Sequence, residues 1–168
     1  MDEKALKHLR EEAVHILRKN DTGRFTKPAP RLYPHQWNWD SVFNAIGWLH
    51  IDEDRAWLEL DSLLTGQWKH GMVPHIVFDP EIDAYHPGPD YWNTSVSPMA
   101  PDHVLTSGIT QPPLLAYGTW YIFQRARYKD KALQWLKRLY PRIRAFHDFL
   151  HAKRDMEGKG VVAILHPW

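Results

Sequence analysis

The sequence predicts an all-α domain of about five helices interrupted by one long irregular loop, and three observations lead there. Five stretches carry apolar residues at the three-and-four spacing of a helix face. They alternate in character: the second and fourth are apolar almost all round, as suits helices buried on both sides, whereas the others carry a charged face. The composition, 43% hydrophobic and 24% charged over 168 residues, supports one domain with a sizeable core and not two.

The first helix runs from about Glu3 to Lys19, with Leu6, Leu9, Ala13, Ile16 and Leu17 on one stripe and charges opposite. Asp21-Thr22-Gly23 stops it, and three prolines between Lys27 and Pro34 force an extended connector. A second helix begins near Asn38 or Asp40 and runs to about His50, turning Val42, Phe43, Ile46 and Leu49 inward. The third, about Asp52 to Gln67, gathers Trp57, Leu60, Leu63 and Leu64 on one face. Gly71 to Thr110 then holds six prolines, three glycines and the aromatics Tyr85, Tyr91 and Trp92. An irregular stretch of that length inside a compact domain is functional or disordered, and its aromatics, with His75, His86 and His103, argue against disorder. Helical pattern resumes at about Pro112, proline being suited to a first turn, and continues to Tyr128 through Leu114, Leu115, Tyr117, Trp120, Tyr121 and Phe123. The last helix, about Asp130 to Ala152, carries Leu133, Leu136, Leu139, Ile143, Phe146 and Leu150, with Pro141 a point for a kink or break. A turn at Asp155 to Gly160, a short apolar run from Val161 to Leu165, and His166-Pro167-Trp168 follow.

Charge and motifs narrow the function. The formal net charge is +1 with no dense Lys/Arg run, so neither a nucleic-acid footprint nor a basic membrane patch is present. No apolar stretch is long enough for a membrane span or a signal peptide, and there is no cysteine, which removes disulfides and thiolate chemistry. The expected location is the cytoplasm, where the sequons at Asn20 and Asn93 carry no meaning. No P-loop, dinucleotide fingerprint, HExxH, nucleophile elbow or EF-hand loop occurs. The eleven histidines are scattered; His147 and His151, four apart beside Asp148, read as helix-edge residues, and neither a metal nor a cofactor is expected.

The most informative stretch is Tyr33-Pro34-His35-Gln36-Trp37-Asn38-Trp39-Asp40-Ser41-Val42-Phe43, which packs two tryptophans, a tyrosine, two amides and a carboxylate into eleven residues. Aromatic faces stack on the C–H surface of a sugar ring while carboxylates and amides bond its hydroxyls, so the mixture points to a carbohydrate. The alternative is structural, with Trp37 and Trp39 as core residues and Asp40 as a helix N-cap. Asp40, Asp79, Asp83, Asp90 and Asp102 are all candidates for acid and base roles in glycoside hydrolysis, and spacing does not choose among them.

Three segments carry a family resemblance: YPHQWNWDSVFNAIG from Tyr33 to Gly47, GMVPH from Gly71 to His75, and SGITQPP from Ser107 to Pro113. In this order and spacing they resemble glycoside hydrolase family 63, specifically its bacterial branch of mannosylglycerate and glucosylglycerate hydrolases, and the likeness covers nearly the whole chain from about residue 3. The resemblance implies a glucoamylase- or trehalase-like (α/α)6 barrel, of which this chain makes an incomplete toroid, and an inverting α-glycosidase that needs no metal. It places Tyr33, Trp37 and Trp39 in the wall of the sugar site and Asp40 on the sugar hydroxyls. It also makes Gln111, at the start of an inner helix, a second hydroxyl ligand, His75 a weaker candidate and Tyr85 a lid contact. Gln111 as a backbone-satisfied amide and His75 as a satisfied loop histidine stay open. The residues that grip a glycerate carboxylate are expected from the missing part or from the loops, with Arg31 and Lys69 as the candidates in this chain.

The resemblance also implies that the segment ending His-Pro-Trp leads into an E-S-G-x-D-N-S-P motif bearing the general acid, with the general base far downstream. The chain is therefore expected to be the N-terminal portion of one catalytic domain, residues 1 to 168, cut before the acid motif, with no catalytic residue and no turnover of its own. Its partners are expected to be a small carbohydrate and the missing C-terminal part of the barrel. Without that part, the inner helices would expose an extended apolar surface. The other two readings of so short a chain are a non-catalytic carbohydrate-binding protein and a half-barrel completed by a second chain.

Overall fold

The computed structural model describes residues 2–83 and 85–163. Helix α1 (Glu3–Asn20) opens on Asp2, whose carboxylate accepts from the Ala5 amide at 2.7 Å, and stops at Asp21, where the backbone turns extended. After a loop bridged at Asp21 and Thr26 come a two-residue strand β1 (Gln36–Trp37) and, with no gap, helix α2 (Asn38–Trp48). Helix α3 (Glu53–Thr65) starts at Asp52, which accepts from the amides of Asp54 and Arg55. The long irregular segment contains strand β2 (Ile76–Val77), a one-turn helix α4 (Pro89–Trp92) and a 3-10 turn at Thr94–Val96. Helices α5 (Leu115–Arg125) and α6 (Lys129–Arg154) complete the described fold.

Helices α2 and α5 pack side by side, and α3 and α6 back them. The close approach of the first pair depends on Gly118, because a methyl group there would overlap the Val42 side chain. Trp57, Leu60, Leu63 and Leu64 are fully buried against Val42, Leu115, Ile122, Leu139 and Phe146, as the α3 periodicity predicts. Each such side chain contributes roughly 1.5 to 3 kcal/mol on burial. Gly71, at φ 103°, brings the irregular segment against α6, where any side chain would run into the Ala145 carbonyl.

Several expectations are corrected. The connector is not simply extended: the Leu32 and Tyr33 amides donate to the Ala29 carbonyl and close a turn. Helix α5 begins at Leu115 and not Pro112, since Gln111 and Pro112 each precede a proline and are driven out of helical backbone. Helix α6 runs through Pro141, which lies on an exposed side. Its buried row is Ala132, Leu139, Ile143, Phe146 and Leu150, so Leu133 falls one position off the face and is exposed. Phe43 is exposed on the uncovered side of α2, and Leu6, Leu9 and Ile16 are at least half exposed, leaving Leu17 to carry the contact of α1 with the core. The run from Val161 to Leu165 falls partly, and His166-Pro167-Trp168 wholly, outside the described residues. Among the described residues, no helix is long and apolar enough to cross a membrane, and no group of three potential metal ligands exists.

Candidate functional site

The junction of β1 and α2 sorts its side chains into two environments. Gln36, Asn38 and Ser41 turn into the protein. The Gln36 amide donates to Ser41 Oγ at 3.0 Å and to the Glu59 carbonyl at 3.1 Å, and it accepts from Ser62. Asn38 donates to the carbonyls of Val73 and Pro74. Behind them Glu59, with no exposed surface, accepts from the Thr26 amide and hydroxyl, from Ser41 Oγ and from Arg55, which also pairs with Asp21 at 2.7 Å. Gln36 is thus fixed in a buried polar network, and Asn38, held through its NH2 by two carbonyls while its Oδ1 has no partner among the described residues, is buried beside it; both side chains are hidden from the surface.

The rings take the other side. Trp37 pairs with Ile76 across the two strands, and its indole, 5% exposed, meets Tyr33 edge-on at 5.2 Å and Tyr85 at 5.4 Å. His35 and Phe78 close the cluster from behind. Trp39 stands on the first turn of α2, 42% exposed, with Phe43 one turn further on. Asp40, the third residue of α2, is half-buried and not an N-cap; that position belongs to Trp37, whose side chain makes no capping bond. Burial pushes the Asp40 carboxyl above its ordinary range, while hydrogen bonds from its own backbone and from Trp39 oppose the rise. Among the described residues no cation pairs with it.

Gln111 reaches the same place from 72 residues away: its side-chain oxygen accepts from the Trp39 amide at 3.2 Å, supplying the bond a capping residue would give α2. It therefore marks the start of α2, four residues before α5. The His75 carbonyl accepts from the Asn38 amide at 3.0 Å, while its ring lies 2.6 Å from Ser107 Oγ and edge-on to Trp92. The structure thus brings Tyr33, Trp37 and Tyr85 into ring contact and joins Trp39, Asp40 and Gln111 at one helix terminus. His75 is held by loop partners beneath them.

The other acids lie elsewhere. Asp79 is buried and pairs with Arg24, and Asp102 pairs with Lys69. Asp83 and Asp90 line a cleft of about 940 Å³ whose walls include none of the rings of Tyr33, Trp37, Trp39 or Tyr85. Arg31 sits exposed in the connector turn. The exposed rings of Tyr33 and Trp39 can stack on an apolar ring face and the half-buried Asp40 carboxylate can accept hydroxyl protons, while Trp37, 5% exposed, backs Tyr33 from the core. The sequence does not single out His35, Phe78 or Ser107. His35 shares the parity of Trp37 along the strand, and Ser107 opens the SGITQPP segment, so each carried a usable signal.

Comparison with known proteins adds four findings. The model of the mannosylglycerate hydrolase MGH1-like glycoside hydrolase domain matches residues 33–168. Mannosylglycerate hydrolase MGH1 of Selaginella moellendorffii is 46% identical over 91% of this chain and 30% of its own length. A glucosylglycerate hydrolase of Mycolicibacterium hassiacum is 41% identical over 93% of this chain and 36% of its own. The crystal structure of the GH63 mannosylglycerate hydrolase from Thermus thermophilus, in complex with Tris and D-glycerate, superposes with a TM-score of 0.85 at 44% identity, covering 95% of this chain and 37% of that one. The chain spans about a third of the length of the relatives it matches, and its layered helices form an incomplete (α/α)6 toroid.

Proposed function

The chain belongs to the MGH1-like glycoside hydrolases, and from that premise we propose that it forms the substrate-binding wall of a catalytic domain that hydrolyses a small glycosyl-glycerate, or a related oligosaccharide, with inversion. Tyr33, Trp37, Trp39 and Tyr85 line the sugar face, Asp40 and Gln111 take hydroxyls, and His75 supports them. The observations that carry this reading are the mutual contact of the Tyr33, Trp37 and Tyr85 rings and the placement of Trp39 and the half-buried Asp40 on the first turn of α2, the helix that follows Trp37 directly. Residues 1 to 168 act as the N-terminal portion of that domain, in the cytoplasm, with no metal.

Inversion needs two carboxyl groups about 6.5 to 9.5 Å apart, one protonating the leaving oxygen and one activating water. Asp79 and Asp102 are held by cations and Asp83 and Asp90 line a separate cleft, which leaves Asp40 as the candidate carboxylate beside Trp39. On this reading the acid and base come from the rest of the domain, and this stretch alone does not turn substrate over. The exposed stripe of Leu6, Leu9 and Ile16, and the exposed Phe43, Tyr117 and Trp120, support a partner that continues the helical layers.

Titration of tryptophan emission with mannosylglycerate and glucosylglycerate tests the reading. The expected result is a saturable change, weakened about tenfold or more in Asp40→Asn by loss of a hydrogen bond to a charged group, with no free sugar released. Flat emission at millimolar ligand would sink the binding role, and release of sugar by the chain alone would sink the division of labour.

A further inference from the structure

We propose that His35 is the positioning residue of the aromatic wall: its neutral ring, anchored on the main-chain amide of Asp79, fixes where Trp37 and Tyr85 stand. The function of the wall rests on the sugar-site reading above, but the positioning is measurable without a sugar. His35 is 1% exposed. Its Nδ1 accepts from the Asp79 amide at 3.1 Å, so the ring proton resides on Nε2. Nε2 has no hydrogen-bond partner among the described residues. The ring lies nearly parallel to Trp37, 27° at 5.9 Å, and perpendicular to Tyr85, 87° at 5.0 Å, with Phe78 edge-on at 4.9 Å. One imidazole therefore touches Trp37 of β1, Phe78 just after β2 and Tyr85 further along the irregular segment, and it holds the backbone at Asp79 between the last two.

Neither half of the residue is dispensable in this arrangement. A phenyl ring fills the space but leaves the amide of buried Asp79 with no acceptor. A charged imidazole would put a proton on Nδ1 and remove the same acceptor. Burial prevents that at neutral pH by holding the His35 pKa at about 4, with the Asp79 carboxylate opposing and Lys27 assisting. Arg24, bonded to Asp79, and the phenol of Tyr85 are the other ionisable groups around the anchor.

Residue-resolved hydrogen exchange on the full 168-residue chain, with His35→Phe and His35→Asn beside it, tests the proposal. In His35→Phe the Asp79 amide and the segment through Tyr85 should exchange about tenfold faster or more, while the amides of Leu60 to Leu64 in α3 keep their protection. His35→Asn, whose side-chain oxygen lies near the position of Nδ1, should restore protection at Asp79. Unchanged exchange at Asp79 in His35→Phe, equal loss in both variants, or uniform loss across α3 would overturn the positioning role. If a variant fails to fold, the imidazole nitrogen spectrum of the unmodified chain decides: a proton on Nε2 supports the anchor, and a proton on Nδ1 refutes it. Failure of the unmodified chain to bind mannosylglycerate would remove the sugar reading and leave the exchange result standing. Binding with no change at Asp79 in His35→Phe would do the reverse.

Discussion

His35 also ties stability to pH. In the unfolded chain an imidazole takes its proton near 6.5, whereas the folded His35 waits until about 4. Between those values the unfolded state holds the extra proton, so stability falls as pH drops from 6.5 to about 4 and this group adds no further loss below. The upper bound on that loss is about 3 kcal/mol. His70, lowered by burial and by Arg154 and Lys153, adds to the slope; Asp40, raised by burial, acts in the opposite sense because its folded carboxyl takes a proton first. Urea midpoints at pH 7 and pH 4.5 check the balance: the unmodified chain should lose more than His35→Phe over that interval, and equal losses would exclude His35 as the source. At this scale the sequence showed the residue types of the site well and their duties less well. Gln36 and Asn38 looked as suited to a sugar as Asp40, and only the three-dimensional partners of each, Ser41, Glu59 and the carbonyls of Val73 and Pro74, separate scaffold from surface.

Among elements, the contact between α2 and α5 is the most sensitive joint, since Gly118 faces Val42 with no room for a methyl group. Gly118→Ala would raise helix propensity in isolation, yet overpacking at a close crossing costs about 1 to 3 kcal/mol, and the second effect wins. We expect a lowered thermal midpoint, with Val42→Ala in the Gly118→Ala background recovering part of it; a Gly118→Ala chain as stable as the parent would show that the helices can separate freely. Helix positions were legible because Trp57, Leu60, Leu63 and Leu64 repeat at helical spacing and end up buried together. The strands were not, for two residues each are too few to show a period of two. The start of α5 was misplaced because proline favours a first turn but also disfavours helix in the residue before it, and two consecutive prolines let the second effect prevail.

For the whole molecule, the decisive feature is how much apolar surface the helices leave uncovered. Leu6, Leu9 and Ile16 on α1, with Trp39, Phe43, Tyr117 and Trp120 on α2 and α5, are all exposed, and contiguous apolar patches above a few hundred Å² mark contact surfaces. The chain by itself should bind a hydrophobic dye strongly and self-associate at concentrations of tens of micromolar, roughly the range where exposed cores aggregate. Leu9→Lys combined with Ile16→Lys should reduce association without loss of helix content; sedimentation as a clean monomer with little dye bound would contradict this. Amphipathicity located the α1 stripe, but a stripe says only that a partner is wanted and not whether this stretch of chain contains it.

The bond from Gln111 to the Trp39 amide joins residues 72 apart. A chain emerging from the ribosome would display its tryptophans long before that cap exists. The start of α2 is therefore completed late in synthesis: until residue 111 has cleared the exit tunnel, the Trp39 amide lacks its glutamine acceptor, and an aromatic stretch in that state is the kind of surface that chaperones meet.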